Sequence, residues 1–301
     1  MPISELVRLD RSLDDRYRCA LGDGAAARWG RGNALFVRSS ASHVFVSERA
    51  ASNEPRLILR MRPDRDAAMA RSARLAAALY DAGAPVATSV RSTRGRLVED
   101  VDGYAVMALL AVEGDVRDSD DADEDGAWRW GRLLAQFHDQ ARALRDELPR
   151  GGCSTATHLS ALPRTPEVYG VLHGDPELDN VVWTGEQGTF VDYDDVRLGW
   201  FVSDVGFALR DWAAPAAAPD LSEPVPAAFL AGYRDCRPMT DEELSWLPLM
   251  ARASAVETLD GLAPVLSAPA GEDWPDWARD LDRRVRKHAE DLRRALKASE
   301  G

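Results

Sequence analysis

Residues 168–195, VYGVLHGDPELDNVVWTGEQGTFVDYDD, gather one histidine, several carboxylates and one asparagine among apolar runs. NVVW and GTFVD read as strands, and the two glycines of TGEQG suit a hairpin loop of about five residues between them. Centring that loop on Glu186 opposes Trp183 to Thr189 and Asn180 to Asp192. Opposed residues of an antiparallel pair hold their Cβ atoms about 4.5–5.5 Å apart, so Asn180 and Asp192 are expected to share the open end of the hairpin. Asp175 lies just before that end, in a turn with Gly174 and Pro176. Three oxygen-bearing side chains then converge. Hard oxygen donors suit Mg²⁺, which keeps most of its coordination for water and phosphate, so a nucleotide phosphate is the expected co-ligand.

The elements that must position these residues fall into two textures. ALFVRS, HVFVS, RLILRM, RLVED and GYAVMALLAVEG read as strands of an antiparallel sheet with one face in water, interrupted by one Ala-rich helix, DRDAAMARSARLAAALYDAG, that ends near Gly83. From about residue 120 the pattern turns helical. DEDGAWRWGRLLAQFHDQARAL has an acidic start and an apolar stripe through Trp130, Leu133, Leu134 and Phe137. PAAFLAGYRD, DEELSWLPLMARASAVETLDGL and DWARDLDRRVRKHAEDLRRALKA are further helices, the last so charged that a solvated terminal helix is expected. The boundary predicts an N-terminal lobe over 1–110 and a mostly helical lobe over 111–301, with the hairpin as its one clear β element.

The 301 residues are 45% hydrophobic, enough for a sizeable core. A net charge of -13 argues against nucleic acid as a partner, since phosphate neutralisation needs clustered Lys and Arg. Cys19, Cys153 and Cys236 are scattered without metal-ligand spacing and read as reduced thiols. No leader-like or membrane-spanning apolar run is seen, so a cytoplasmic protein without a membrane partner is expected, as a monomer or homodimer.

HGDPELDN, followed by FVDYDD twelve residues after its Asn, resembles the aminoglycoside phosphotransferase-like family of small-molecule kinases, and WRWGRLLAQFHDQAR and FLAGYRD resemble its neighbouring helices. The resemblance implies an α+β, two-lobed protein-kinase-like fold. It implies ATP-dependent transfer of a γ-phosphate to the hydroxyl of a small acceptor such as an aminoglycoside, amino alcohol or amino acid, with ATP or GTP as co-substrate. Carried over, Asp175 is the catalytic Asp, Asn180 and Asp192 bind Mg²⁺, His173 braces the loop and Asp204 holds its backbone. Arg60 stands where a strand Lys meets the nucleotide phosphates. Ser42 belongs to the phosphate-loop segment SSASHVF, and the backbone of Ala108 to Leu110 is the adenine hinge.

One departure qualifies this reading most. The helix after Arg60 has no Glu, and Ser72 occupies the position where the family's Glu is expected; Asp64 or Asp66 are the candidate substitutes. A degenerate nucleotide-binding or regulatory module without phosphotransfer is therefore the alternative, and Arg60 has a second reading as a surface charge on the sheet. Asp211, Asp235, Glu257 and Asp260 are candidate acids for a cationic acceptor. His43, His138, His158 and His288 are read as structural, and Trp200 and Trp212 as candidates to line a pocket.

Overall fold

The computed structural model describes residues 1–49, 51–63, 67–146, 148 and 157–298. The chain forms two units: Met1–Tyr80, Ala87–Val112 and Ser267–Arg283 make unit 1, and Asp81–Val86, Glu113–Leu266 and Arg284–Gly301 make unit 2.

In unit 1, helices α1 (Ile3–Asp10) and α2 (Ala20–Arg28) precede strands β1 (Ala34–Ser39), β2 (His43–Ser47) and β3 (Leu57–Arg62). Helix α3 (Ala68–Asp81) and strands β4 (Ser89–Val90), β5 (Val98–Val101) and β6 (Tyr104–Leu110) follow. The antiparallel sheet runs β1-β2-β3-β6-β4, with β5 also on β6. Phe45, Leu59, Met61, Val106 and Ala108 bury one face against Ala25, Ala26 and Trp29 of the second helix and its end. That helix comes close because Gly22 lacks a side chain: a Cβ there would stand 2.7 Å from the Phe45 ring. The opposite face is not simply in water. Arg60 lies on it and is only 3% exposed, which removes the reading of Arg60 as a surface charge. His43 is structural, with Nδ1 2.7 Å from Ser39 Oγ and Nε2 3.1 Å from Glu5 Oε1.

Unit 2 is built on α4 (Glu124–Gln140), capped by Asp123, whose side chain accepts from the Gly126 N–H. The expected stripe of Trp130, Leu133, Leu134 and Phe137 is buried. Strand β7 (Asp115–Val116) and the hairpin β9 (Val181–Thr184) and β10 (Gln187–Phe190) form a three-stranded sheet, and β8 (Tyr169–Leu172) pairs with β11 (Arg197–Trp200). The hairpin is thus not the lone β element of this half. Helices α5 (Phe201–Ala208), α6 (Pro224–Cys236), α7 (Asp241–Leu244) and α8 (Leu247–Ser267) follow, and α9 (Asp276–Ala298) starts among the residues of unit 1 and ends among those of unit 2. Gly131 and Gly232 let α4 and α6 touch backbone to backbone; a Cβ on either would overlap the carbonyl of Phe229 or Trp128. The terminal helix is not wholly solvated, because Ala278, Ala289 and Leu292 are buried along it.

The hairpin register differs by one residue from the expected one. Gly188 pairs with Trp183 and Thr189 with Val182 across a two-residue turn, in which Gly185 takes φ +62. Gly188 is a strand residue because a Cβ there would meet Leu133 at 2.5 Å and the Trp183 ring at 3.1 Å. Asn180 therefore faces Val191, whose N–H donates to its carbonyl at 3.0 Å, and not Asp192. Cys19 and Cys236 are free thiols, while Cys153, Asp64 and Asp66 lie outside the described residues. No helix among the described residues is long and apolar enough to cross a membrane.

Candidate active site

The fully buried strand β8 delivers the chain into the loop 173–180. Gly174 is required at its start: φ is +88, and a Cβ would run into the Asp195 carbonyl. The loop backbone is tied down by Asp204 of α5, which is 1% exposed. Asp204 accepts the His173 N–H at 2.7 Å and the Gly174 N–H at 3.1 Å. It also lies 3.0 Å from His138 Nε2, and His138 Nδ1 lies 2.8 Å from the Tyr233 hydroxyl. Burial pushes the His138 pKa down and the Tyr233 pKa far up, so both are neutral. The network then has one consistent polarity: Tyr233 O–H donates to Nδ1, and Nε2–H donates to Asp204. Burial alone would raise the Asp204 pKa, but the His138 hydrogen bond and neighbouring charge hold it below the ordinary range. Three helices thus converge on the loop, and Asp204 plays the holding part expected of it. Trp130 adds a fourth tie by donating Nε1–H to the Pro176 carbonyl at 3.1 Å.

His173 braces the loop by packing. Its ring centroid lies 5.2 Å from that of Phe137 and 4.3 Å from that of Phe190, and neither ring nitrogen makes a well-formed hydrogen bond. Burial pushes its pKa down to about 4, so the ring is neutral. Asn180 donates Nδ2–H to both the Asp175 carbonyl (3.1 Å) and its Oδ2 (3.0 Å), joining two of the three expected residues directly. The changed register takes Asp192 off Asn180, but its charge still helps to raise the Asp175 pKa, after burial and against the opposing pull of Arg210. Asp195 is crowded too. Desolvation first, then Asp175, Asp194 and Asp192, push it up to about 6, although its side chain keeps an exposed edge.

Desolvation comes first in raising the Asp175 and Asp195 pKa values, and the charges of neighbouring carboxylates add to it. Among the described residues no three His, Cys, Asp or Glu side chains are gathered as a self-sufficient metal site.

Arg210, in the turn after α5, was not singled out from the sequence. Its Nη1 stands 3.8 Å from Asp175 Oδ1, its Nη2 pairs with Glu177, and its guanidinium lies 4.3 Å from the Phe207 ring centroid. One signal pointed to it: HGDPELDN contains no Lys or Arg, so a cation for the loop had to come from elsewhere. Beside Arg210 opens a cavity of about 420 Å³, lined among others by Phe207, Asp211, Ser254, Thr258 and His288. Of the four candidate acids only Asp211 lines it. Asp235 is 3.9 Å from Arg132, Glu257 is 3.6 Å from Arg197 beside a separate smaller cavity, and Asp260 lines neither. Trp200 lines the smaller cavity, whereas Trp212 packs on Trp130. His288, expected to be structural only, borders the larger one.

In unit 1, Arg60 donates Nε–H to Ser42 Oγ at 3.2 Å, and Ser42 is fully buried. These two sequence candidates therefore touch. Leu110 closes β6, with its N–H on the Thr88 carbonyl at 2.9 Å. Ser72 is buried on α3.

Residues 141–239 match the model of the phosphotransferase enzyme family. Among curated proteins, a homoserine kinase of Neisseria meningitidis serogroup B is 35% identical over 136 residues, 43% of this chain and 41% of the relative. A homoserine kinase of Bradyrhizobium sp. is 31% identical over 144 residues, 47% of this chain and 44% of the relative. The chain thus spans less than half the length of these two. Among solved structures, amicoumacin kinase hAmiN in complex with AMP-PNP, Ca²⁺ and Ami aligns with a TM-score of 0.64 at 17% identity, over 86% of this chain and 88% of that one. Spectinomycin phosphotransferase APH(9)-Ia with ADP and spectinomycin gives 0.58 at 12% identity, over 89% and 91%. The resemblance drawn from the sequence is borne out: residues 141–239 carry the phosphotransferase enzyme family's pattern, on the protein-kinase-like, two-lobed α+β fold of these small-molecule kinases.

Proposed function

We propose that this chain is an ATP-dependent O-phosphotransferase acting on a small hydroxylated acceptor. The observation that carries the reading is the Asp175–Asn180 pair, on a loop whose backbone is fixed by buried Asp204. Phosphoryl transfer asks mainly for positioning and charge neutralisation, and this loop supplies rigidity of that kind. In the proposed reaction the acceptor oxygen forms a bond to the γ-phosphorus, the bond to the β-phosphate oxygen breaks, and ADP leaves. Asp175 orients the acceptor hydroxyl and takes its proton. Burial and Asp192 both raise the Asp175 pKa, making the carboxylate a better proton acceptor than an exposed Asp.

Asn180 and Asp192 would hold Mg²⁺, which neutralises charge on the β- and γ-phosphates when bound. In unit 1, Arg60 would contact phosphate, with Ser42 fixing its guanidinium, and the backbone near Leu110 would meet the base. ATP or GTP fits this scheme; the neighbouring structures include AMP-PNP, ADP and GDP complexes. The homoserine kinases and antibiotic kinases among the relatives support a small acceptor with a free hydroxyl.

The degenerate reading keeps one specific support, the buried Ser72 in place of a carboxylate on α3. Calorimetric titration with Mg·ATP and Mg·GTP, followed by ADP or GDP release over an acceptor panel, separates the two. Mg²⁺-dependent binding that weakens in Asp192→Asn, together with turnover, supports the enzyme. Binding without turnover of any acceptor supports the degenerate module, and a folded protein that binds neither nucleotide refutes both.

A further inference from the structure

Arg210 stands where a cation has consequences for acceptor choice. It sits on the wall of the 420 Å³ cavity and 3.8 Å from the carboxylate proposed to activate the acceptor hydroxyl. That separation exceeds a hydrogen bond, so Nη1 is paired with Asp175 by charge alone. Nη2 is paired with Glu177, and the guanidinium carbon lies over the Phe207 ring, 4.3 Å from its centroid. Arginine presents five donors in a planar fork that matches a carboxylate. The cavity is not an acidic bowl of the kind a polycation needs, because Asp235, Glu257 and Asp260 lie elsewhere and Asp211 is its one lining carboxylate. Asp211 follows Arg210 in sequence and lines the same cavity, so one positive and one negative side chain are presented together.

We propose, resting on the phosphotransferase reading above, that the acceptor is a small hydroxy acid whose carboxylate is held by Arg210, with any ammonium group directed to Asp211. The 3.8 Å spacing also sets the size of the acceptor: hydroxyl and carboxylate are engaged a few bonds apart. A compact amino or hydroxy acid satisfies this, whereas an aminoglycoside brings several ammonium groups to a wall that carries Arg210. The protein's charge of -13 repels an anion at long range, so recognition has to be local, and Arg210 supplies it.

The test uses the full chain with Mg·ATP and an ADP-release assay. L-homoserine, L-serine and glycerate are compared with 3-aminopropan-1-ol, ethanolamine and ethylene glycol, their carboxylate-free counterparts, and with kanamycin. Losing a hydrogen-bonded charge pair predicts that the best acid exceeds its counterpart by about 10- to 100-fold in kcat/KM. In Arg210→Gln that ratio collapses toward one, mainly through KM for the acid, and Arg210→Lys keeps part of it. If Arg210→Gln fails to fold, the wild-type ratios decide the matter. An amino alcohol, diol or kanamycin used as well as the acids overturns the proposal. So does Mg·ATP binding with no acid bound in calorimetry and no acid turned over. Failure to bind Mg·ATP at all refutes the underlying phosphotransferase reading instead.

Discussion

Replacing His173 by Phe should flatten the pH dependence of stability on the acid side of neutrality. In the folded chain His173 is fully buried between Phe137 and Phe190, and burial pushes its pKa down from 6.5 to about 4. Above pH 6.5 the ring is neutral in folded and unfolded chains alike, so its burial carries no ionisation penalty. As pH falls through 6.5 the unfolded chain binds a proton that the folded chain refuses until about pH 4. Stability is therefore full above 6.5 and lost across that window, by about 1.4 kcal/mol per pH unit and about 3 kcal/mol in all. His138 is shifted in the same direction and adds to the loss. Phe keeps an aromatic ring in the slot and removes the proton site; tighter packing costs it about 1–3 kcal/mol at every pH. Urea unfolding followed by fluorescence of the nine tryptophans, at pH 8, 6.5, 5.5 and 4.5, gives both curves. The difference between wild type and His173→Phe isolates this residue from the general relief of negative charge at low pH. Parallel curves for the two proteins would refute the argument, since the ring would then titrate equally in both states.

Other substitutions test other parts of the structure. Asp175→Asn should lower kcat by about 10²–10⁴-fold while Mg·ATP affinity stays within a few-fold; calorimetry beside steady-state kinetics checks both. Asp204→Asn removes the charge that accepts two loop N–H groups and faces His138, and should cost about 3 kcal/mol in urea unfolding and most of the turnover. Gly131→Ala or Gly232→Ala should cost about 3 kcal/mol or prevent folding, because the added carbon overlaps the facing helix backbone; thermal melts of each variant read this directly. Arg60→Ala should weaken Mg·ATP binding in calorimetry by about 10-fold or more, and Arg60→Lys should restore part of it.

Local sequence carried much of this protein's organisation. The strands ALFVRS, HVFVS and RLILRM and the α4 stripe formed as expected, because alternation and helical spacing are properties of neighbouring residues. HGDPELDN likewise announced a loop that brings Asp175 and Asn180 near each other, although the bond between them replaces the expected pairing of Asn180 with Asp192. What the sequence could not decide depended on residues far along the chain. Gly188 belongs to a strand and not to the turn because Leu133, from another helix, occupies the space of its side chain, and that contact sets the hairpin register. Helix α2 was hidden because its glycines spoil the amphipathic pattern, yet one of them is what lets it reach Phe45. Arg60 looks exposed by alternation and is buried on Ser42, while Asp204 anchors a loop 30 residues away and is itself met by His138, which in turn meets Tyr233. Arg210 stood outside every motif, and only the fold brought it to Asp175. Periodicity and short motifs follow from covalent order, whereas register, burial of charge and the neighbours of a catalytic group follow from which surfaces pack together in space.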